Sequence, residues 1–453
     1  MARPRPLSGF PEFSPASRIV EQQVLDGLRR TFELHGFASL ETRAVEPLSQ
    51  LLRKGEIDKE VYVVRRVHEE PGEAADGAAE DGLALHFDLT VPFARYVVEN
   101  SGTLVFPFKR YQIQKVWRGE RPQEGRYREF CQADIDIVGR DTLPGHHEAE
   151  MALVMAEALT SLPLPPLRMQ VNNRKLIEGF YRGLGAADPA AVMRSVDKLD
   201  KIGAEAVRAD LVATAGLGEE QAEACLALAA ITGTDARVAD RVRALGVSDP
   251  LLEEGLQALV AVLEATAGIA PERVEIVADL SIARGLDYYT GTVYETRMVG
   301  FESLGSICSG GRYDALASDG RTTYPGVGIS FGVTRALVPL LTRGVLAASR
   351  STPTCVWVAL VDEESRPAAR RTAEALRRRG IAAEISPDAA RFGKQIRAAE
   401  RRGIPFVWFA GAAEDGGDQV RDIRSGEQVD ADAHRWDPPA EDLRPRVVRA
   451  ATD

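Results

Sequence analysis

The sequence predicts an α+β fold, in which a mostly antiparallel sheet is flanked by helices and carries a helical insertion and a small C-terminal α/β domain. Three patterns predict this fold. Strand-like runs follow one another with hairpin loops between them, which favours an antiparallel sheet over a doubly wound parallel one. Residues 175–267 are rich in Ala, Leu and charged side chains at helical spacing. After residue 354, strand-like and helix-like runs alternate.

The first third of the chain is predicted to form one helix and two hairpins. Residues 17–34 have apolar side chains at helical spacing and Gly36 as a stop, and residues 37–41 predict a short strand before Pro47. Two pairs of runs are predicted to form the hairpins: 61–67 with 83–89, and 108–116 with 129–138. The loop at 69–82 is acidic, whereas the loop at 118–128 is basic.

The remaining elements complete the sheet and build a second domain. Residues 175–267 are predicted to form an all-helical insertion, because glycine-containing turns punctuate a helical pattern. Further strands of the sheet are predicted at 274–278, 293–299 and 326–331. A linker at 341–353 separates the main domain, residues 1–340, from a domain at 354–453. That last domain is predicted to contain strands at 355–360, 382–385 and 405–409 and helices at 365–379 and 392–402.

The bulk composition limits the class of protein. The chain has 453 residues, 45% of them hydrophobic and 27% charged, as expected for a globular protein of two or three domains. No apolar run approaches the roughly 18 residues of a membrane span, and the N-terminus lacks the apolar core of a secretory signal. The four cysteines form no Cys-x-x-Cys pair and the six histidines show no metal-ligand spacing. We therefore expect a cytoplasmic protein without a membrane partner, a disulfide framework or a zinc site.

Positive charge is concentrated in two regions of an acidic chain. The formal net charge is −11, yet residues 108–128 hold seven Lys/Arg against two Asp/Glu, and residues 354–410 hold eleven against seven. This distribution suits a partner with phosphates that touches only part of the surface. Ordinary solvated helix faces explain the second region equally well.

The most informative stretch lies at residues 284–295, which read RGLDYYTGTVYE. Arg284 stands beside a glycine, and an acid and two tyrosines follow. One guanidinium can hold a phosphate or carboxylate bidentately, while phenol and carboxylate groups can hydrogen-bond a small polar ligand. Taken alone, the stretch could also be a polar surface loop.

Three further segments accompany this stretch: FKRYQIQKVWRGERPQEGRYREFCQADID at 108–136, SICSGGRYDAL at 306–316 and GVGISFGVTRAL at 326–337. Together the four segments resemble the histidyl-tRNA synthetase family of class II aminoacyl-tRNA synthetases. The resemblance extends from Phe10 to about Arg424, and its specific parts are 284–295 and 310–313. It implies a class II catalytic domain at 1–340 and an anticodon-binding domain at 354–453.

The resemblance also implies an ATP site. Activation joins an amino-acid carboxylate to the α-phosphate of ATP and releases pyrophosphate, and two anionic reactants need cationic clamps. The residues implied to bind ATP are Arg118, Glu120, Arg126 and Phe130 of motif 2 and Arg335 of motif 3. Arg118 and Arg284 are implied to be catalytic, Arg284 taking part of the role that a metal has in other class II enzymes. Mg²⁺ is expected only with ATP, with no protein metal cluster and no prosthetic group. A surface ion pair is the alternative for any one of these arginines taken singly.

A second set of residues is implied to bind histidine. Imidazole has two ring nitrogens, and a selective site engages both. Asp136 matches the position that accepts from Nδ1–H, and Tyr289 the position that meets Nε2. Asp88, Thr90 and Gln132 match the positions that hold the α-ammonium group, although a capping or turn aspartate explains Asp88 alone equally well. The other implied contacts are Arg118, Arg284, Tyr288, Gly310 and Gly311, where the two glycines leave space for the ligand.

Histidine tRNA and a second copy of the chain are the implied macromolecular partners. Arg121 and Gln123 match positions near the tRNA acceptor end, which read the extra guanosine of histidine tRNA. The helix and strand before Pro47 resemble motif 1, which forms the dimer interface of class II enzymes. The implied activity is that of a histidine–tRNA ligase acting on L-histidine, ATP and tRNA.

Two other kinds of protein share this catalytic fold. The regulatory subunit of ATP phosphoribosyltransferase, in histidine biosynthesis, lacks the C-terminal domain and specific motif residues. The synthetase-like segment of a stress-response kinase senses uncharged tRNA and needs no intact ATP site. The arginines, the 284–295 stretch and residues 354–424 are all present in this chain, which favours the ligase.

Overall fold

The computed structural model describes residues 5–52, 60–67, 82–283, 288–413 and 416–449. The chain divides into two compact units, one formed by Met1–Pro11 and Leu25–Pro339 and the other by Glu12–Val24 and Leu340–Asp453. The first helix, α1 (Pro15–Leu34), is divided between them. Arg284 and all but the last residue of the predicted 69–82 loop lie outside the described residues.

The first unit contains twelve described strands, and the last of its helices ends a few residues beyond the limit of the unit. Its strands are β1 (Ala38–Ser39), β2 (Val45–Pro47), β3 (Val63–Val64), β4 (Leu83–Leu85), β5 (Phe108–Trp117), β6 (Glu129–Val138), β7 (Leu167–Asn173), β8 (Thr232–Gly233), β9 (Val274–Asp279), β10 (Thr292–Met298), β11 (Cys308–Tyr313) and β12 (Gly326–Gly332). Its helices after α1 are α2 (Leu48–Leu51), α3 (Thr90–Asn100), α4 (His146–Ser161), α5 (Arg174–Gly183), α6 (Pro189–Val196), α7 (Leu199–Ile202), α8 (Ala204–Ala213), α9 (Glu219–Ala229), α10 (Arg237–Arg243), α11 (Pro250–Ala265) and α12 (Val333–Thr342).

A nine-stranded sheet is the frame of this unit, with the order β1-β5-β6-β12-β11-β10-β7-β9-β8. The pairs β1–β5 and β7–β9 are parallel, and the other six neighbouring pairs are antiparallel. A smaller sheet has the order β2-β4-β3. The predicted α+β class with a mainly antiparallel sheet is therefore confirmed.

The central strand β6 shows how the sequence produces one apolar and one polar face. Ala133, Ile135 and Ile137 alternate with polar residues and are completely buried, because successive side chains of a strand point to opposite faces. The helix α4 packs against β6 and β12, and its Met151, Val154 and Met155 are also completely buried. The opposite face of β6 is left to polar side chains.

Several predicted elements differ from the observed ones. The first predicted hairpin exists as β3 paired with β4, but β4 ends at Leu85 and the chain soon starts α3 at Thr90. Asp88 favours this helix start, since its Oδ1 accepts a hydrogen bond from the Val91 N–H at 3.1 Å. The insertion is not entirely helical, because the two-residue strand β8 pairs with β9. A strand this short leaves no periodic pattern in the sequence. The elements that the sequence pattern did not predict include the strands β7 and β11 and the helices α3 and α4.

The second unit is a small α/β structure. It contains the strands β13 (Leu346–Ala348), β14 (Val356–Ala359), β15 (Ala383–Ile385), β16 (Phe406–Phe409), β17 (Asp418–Asp422), β18 (Gln428–Ala431) and β19 (Val447–Arg449), and the helices α13 (Arg366–Arg378), α14 (Phe392–Arg401) and α15 (Ala440–Leu443). Its five-stranded sheet has the order β15-β14-β16-β17-β18, with β15, β14 and β16 parallel. The predicted alternation of strands and helices is thus confirmed.

Alternate side chains of the central strands build a core on each face of this sheet. On one face Val358 and Trp408 are buried with Leu376 of α13, and on the other Trp357 and Val407 are buried with Ala399 of α14. The predicted linker at 341–353 is not free of structure, because it contains β13, which pairs with β19. That pairing joins residues about a hundred positions apart, so no local pattern could reveal it. The exact limits of the domains stay predictions.

Three observations concern the described residues as a whole. They include no helix that is both long and apolar enough to cross a membrane. They also hold no group of three or more His, Cys, Asp or Glu side chains arranged for a metal ion. All four cysteines are buried free thiols, which act as small apolar side chains of the core.

Candidate functional site

Two cavities lie beside the polar face of the nine-stranded sheet. The larger cavity, of about 270 Å³, is lined by Arg118, Glu120, Arg126, Phe130, Gln132 and Arg335, among others. The smaller cavity, of about 30 Å³, is lined by Thr90, Asp134, Asp136, Tyr288, Tyr289 and Gly310, among others. Ser309 and Ser330 line both cavities, which are therefore neighbours. All five residues predicted to bind ATP meet at the larger cavity, and five of those predicted to bind histidine meet at the smaller one.

Arg118 is fixed at the base of the β5–β6 hairpin. It follows β5 directly, and its backbone N–H donates to the Arg128 carbonyl at 2.9 Å. Its Nε donates to the Phe87 carbonyl at 2.9 Å. The guanidinium carbon lies 5.1 Å from the centre of the Phe130 ring, within the range of a cation–π contact. These contacts hold a cation at the wall of the larger cavity.

Two more arginines bring positive charge to the same cavity. Arg335 of α12 donates from Nε to the Leu304 carbonyl at 3.1 Å. Burial lowers the pKa of Arg335, and the nearby guanidinium groups of Arg126 and Arg118 lower it further. Arg126 is half exposed, and its Nη1 lies 4.0 Å from Glu120 Oε2. Three guanidinium groups around one cavity form a site for a polyanion such as the phosphates of ATP.

Arg121 and Gln123, predicted to meet the tRNA acceptor end, lie in the loop between β5 and β6. Both are exposed and neither lines either cavity. A tight turn forms here, because Gln123 and Arg126 exchange backbone hydrogen bonds of 3.2 and 2.9 Å. Gly125 in that turn has φ +76°, which a residue with a side chain rarely adopts.

Asp136 lies in the smaller cavity as one partner of a buried ion pair. Its Oδ2 is 2.7 Å from Nη2 of Arg110, whose side chain is completely buried and lies 4.2 Å from the Phe93 ring centre. Its Oδ1 accepts a hydrogen bond of 2.8 Å from the Tyr313 hydroxyl. A Cβ atom at Gly328 would lie 2.0 Å from Asp136 Oδ1, so only glycine leaves room for this carboxylate.

These contacts qualify the predicted role of Asp136. The prediction has its carboxylate accept from the imidazole Nδ1–H, and the structure shows that the same carboxylate also contacts Arg110 and Tyr313. A carboxylate has about four acceptor positions, so the group can still accept from a ligand. The arginine keeps the charge of the carboxylate balanced inside the protein.

Two tyrosines form another wall of the smaller cavity. The Tyr288 ring stacks on Tyr313 at 5.6 Å and meets Tyr289 edge to face at 5.0 Å. The backbone is held from α5, since Arg174 Nη1 donates to the Tyr289 carbonyl at 3.1 Å and the Arg174 N–H to the Gly291 carbonyl at 2.8 Å. Burial raises the pKa of both phenols above the usual value. Both are therefore neutral hydroxyl groups at physiological pH.

The structure shows a physical reason for having glycine at the two predicted pocket positions, 310 and 311. A Cβ at Gly310 would lie 2.1 Å from the Gly328 carbonyl of the neighbouring strand, and a Cβ at Gly311 would lie 2.7 Å from the Tyr289 ring. Gly310 lines the smaller cavity, whereas Gly311 does not. These glycines allow close packing of the strands and of Tyr289, and their role in leaving space for a ligand stays a prediction.

The residues predicted to hold an α-ammonium group are divided between different places. Thr90 lines the smaller cavity, and Gln132 lines the larger one. Asp88 is buried and lines neither cavity, and one of its oxygens accepts from the first turn of α3. The capping interpretation of Asp88 is thus observed, and a contact with a ligand stays a prediction.

Sequence reasoning missed several residues that the fold places beside the predicted ones, and four of them matter most for the charge of the pocket. Arg110 and Tyr313 hold Asp136, while Asp134 and Ser330 line the smaller cavity. Asp134 had a sequence signal, because it lies two residues from both Gln132 and Asp136 and so shares their face of β6. Arg110, Tyr313 and Ser330 come from three other strands, and only the register of the sheet brings them together.

Comparison with known proteins shows which family the chain resembles. A family model described as histidyl-tRNA synthetase matches residues 9–336, and one described as an anticodon binding domain matches residues 355–434. A protein named histidine–tRNA ligase from Cutibacterium acnes is 60% identical over 455 residues, covering 99% of this chain and 99% of that relative.

Solved structures give a concordant result. The histidyl-tRNA synthetase from Nostoc sp. PCC 7120 superposes with a TM-score of 0.84 at 34% identity, covering 96% of this chain and 98% of that one. A protein titled ATP phosphoribosyltransferase regulatory subunit/histidyl-tRNA synthetase from Bacillus halodurans has a TM-score of 0.69 at 17% identity, covering 84% and 92%; at that identity only the fold is shared. The family model and the close relative both extend over most of the sequence. The chain therefore belongs to the histidyl-tRNA synthetase family.

Proposed function

We propose that this chain is a histidine–tRNA ligase, which activates L-histidine with ATP and then transfers the histidine to its tRNA. The observation that carries the proposal is the single polar face of β6. Phe130 and Gln132 line the larger cavity and Asp134 and Asp136 the smaller one. Two ligands in neighbouring cavities meet end to end along this strand, which is the geometry that an in-line attack on a phosphate needs.

The proposed chemistry assigns a role to each wall. Arg118, Arg126 and Arg335 hold the phosphates of ATP, and Phe130 stacks against adenine. The histidine carboxylate is already ionised, so its attack on the α-phosphate needs no general base. Mg²⁺ arrives with ATP as part of the substrate. Arg284 is proposed as a further cation at the α-phosphate on the resemblance alone, and it lies outside the described residues.

The smaller cavity is proposed to receive the imidazole ring. Asp136 accepts from one ring N–H and the neutral Tyr289 hydroxyl meets the other nitrogen. A cavity of about 30 Å³ holds only one or two water molecules. We therefore expect the walls around Tyr288 and Tyr289 to move apart when histidine binds.

Pyrophosphate exchange tests the proposal. The protein should exchange labelled pyrophosphate into ATP with L-histidine and not with other amino acids, and should charge histidine tRNA. A regulatory subunit or a tRNA-sensing module would give no exchange. A folded protein that exchanges with a different amino acid would refute the assignment to histidine.

Tyr289→Phe is expected to raise the KM for histidine tenfold or more while leaving the KM for ATP nearly unchanged. The change removes one hydroxyl, and a ring nitrogen without its partner costs roughly 1–3 kcal/mol. Steady-state exchange kinetics at varied histidine and varied ATP measure the two constants. Tyr96→Phe on α3, which lines neither cavity, is the matched control. An effect on ATP alone would contradict the assigned pocket.

The second unit is proposed to bind the anticodon end of the tRNA. Arg370 and Arg371 of α13 and Lys394 and Arg397 of α14 are exposed. Replacing these four residues by alanine should weaken tRNA charging strongly, because each of them is proposed to contact a phosphate of the tRNA, and should leave pyrophosphate exchange unchanged. Each lost phosphate contact should also lower the slope of log affinity against log salt concentration by about 0.7–0.9. Charging rates at several salt concentrations check this.

Point variants are preferable to removal of the second unit. Gln23 of α1 donates to the Pro445 carbonyl and accepts from the Val447 N–H at 3.2 Å, so truncation would also strip contacts from α1. Arg435→Ala, at a side chain that is 88% exposed, serves as the control. If the fourfold variant charged tRNA as well as the wild type, these helices would not form the anticodon reader.

We also propose that the protein is a homodimer, because its first helix and strand resemble motif 1. Its proposed location is the cytoplasm. Light scattering should give about twice the chain mass of 49.2 kDa. An active monomer would contradict the dimer. Cell fractionation would test the location.

A further inference from the structure

Two buried oxygen atoms on the polar face of β6 have no hydrogen-bond partner among the described residues. They are Gln132 Oε1 and Asp134 Oδ1. Asp134 is 2% exposed and Gln132 is 8% exposed, so bulk water does not serve them. A buried acceptor without a donor destabilises a protein unless another group satisfies it. Both atoms therefore indicate a missing donor.

The two acceptors belong to neighbouring positions on one face of β6. Gln132 and Asp134 are two residues apart on one strand and so lie on the same face. Gln132 Nε2 donates to Ser330 Oγ at 2.7 Å, which leaves the amide oxygen as the free end of the side chain. Ser330 is the direct neighbour of Asp134 on β12 and lines both cavities. The paired acceptors thus stand where the two cavities adjoin.

The chemistry of this pair suits a cationic nitrogen with several N–H groups. One acceptor is an amide oxygen and the other belongs to a carboxylate, and a primary ammonium group offers three donors and a positive charge. Along the face of β6 the order is Phe130, Gln132, Asp134, Asp136. A histidine with its ring at Asp136 and its carboxylate towards Arg118 has its α-ammonium group between them.

We propose that Asp134 is a further ligand-contacting residue, whose Oδ1 accepts a hydrogen bond from the α-ammonium group of the bound amino acid beside Gln132 Oε1. This inference rests on the proposed function. Burial raises the pKa of Asp134 to about 7, and the Arg110 charge opposes that rise only in part. Arg110 is already paired with Asp136, so a second cation in the cavity is what would keep Asp134 ionised.

The groups around Asp134 come from every neighbouring element. Arg110 and Asp136 face it from β5 and β6, and Ser330 from β12. Tyr289 and Cys308 also lie within electrostatic reach, as does Asp88 before α3. Arg110 carries the one positive charge in this group, and the other ionisable members are acids. The balance of charge around Asp134 therefore favours a positively charged ligand.

The experiment replaces one oxygen by nitrogen in the variant Asp134→Asn. The KM for histidine in pyrophosphate exchange should rise roughly tenfold to a hundredfold, the factor expected for a lost hydrogen bond to a charged group, while the KM for ATP stays unchanged. Histidinol, which keeps the ammonium group, should lose inhibition of exchange by the same factor. Imidazolepropionate, which lacks it, should inhibit both proteins equally. If imidazolepropionate is too weak to inhibit the wild type, the test is whether the KM for histidine rises while the KM for ATP stays unchanged.

The control and the contrary outcomes are specific. Asp141→Asn makes the same chemical change at an exposed residue with φ 62°, which asparagine tolerates, and should behave as the wild type. An unchanged histidine KM, or an equal loss for imidazolepropionate, would overturn the proposal. A change in thermal unfolding without a change in the histidine KM would also overturn it, because Asp134 would then be only a structural partner of Arg110. Failure of the wild type to exchange with histidine would instead refute the proposed function.

Discussion

Replacing Arg118 by alanine should lower the rate of pyrophosphate exchange by roughly a hundredfold to a thousandfold, the range seen when one preorganised charge contact to a transition state is removed. Arg118 is held by the Phe87 carbonyl and the Phe130 ring at the wall of the larger cavity. Its position is therefore fixed before substrate arrives.

Arg140→Ala supplies the matched control, because Arg140 is exposed and lines neither cavity. It should exchange pyrophosphate at the wild-type rate. Arg118→Lys should also be slow, since an ammonium group cannot bind two oxygens in a fixed fork. On the resemblance alone, Arg284→Ala should be impaired to a similar degree. Near-normal exchange by folded Arg118→Ala would remove this residue from the proposed mechanism.

Replacing Arg110 by methionine should destabilise the protein by about 3–5 kcal/mol, the usual cost of leaving one partner of a buried ion pair without the other. Asp136 would then be a buried carboxylate that still accepts from the Tyr313 hydroxyl but has lost the positive charge of Arg110. Denaturant unfolding measures the loss. The histidine KM should rise as well, because the orientation of Asp136 depends on this pair.

The double variant Arg110→Met with Asp136→Asn separates charge from packing. Removing both charges should recover much of the stability lost in Arg110→Met, since no uncompensated charge remains. The recovered stability should not restore the histidine KM, because an asparagine presents an amide in place of the carboxylate. If Arg110→Met unfolded at the wild-type denaturant concentration, the ion pair would not matter for stability. If the double variant were the least stable of all, loss of packing by Arg110 would be the cause.

Local pattern was sufficient for the two strands of the hairpin that carries motif 2. The run at 108–116 predicted β5 and the run at 129–138 matched β6, because each alternates side chains over a full strand length. The βαβαβ order after residue 354 was predictable for the same reason. By contrast, α4 escaped prediction because it is apolar on most sides, with ten of its residues buried. Such a helix has no amphipathic stripe to detect.

The candidate site was also predictable only in part from local pattern. The sequence by itself placed Arg118, Glu120, Arg126 and Phe130 on one hairpin, and the structure brings all four to the larger cavity. Sequence could not show that Arg335 of α12 would reach the same cavity by physical contact. It could only suggest this through the resemblance.

The sequence alone determined which side chains share the polar face of β6, because a strand alternates its faces every residue. Only the tertiary structure decided what those side chains meet. The register of β6 against β5 places Arg110 opposite Asp136, and the register against β12 places Ser330 beside Asp134 and glycine beside Asp136. Pairing between strands far apart in the chain sets these registers, and the whole sheet must form before any of them is fixed. The family was thus readable from local motifs, whereas the charge balance of the pocket required the assembled sheet.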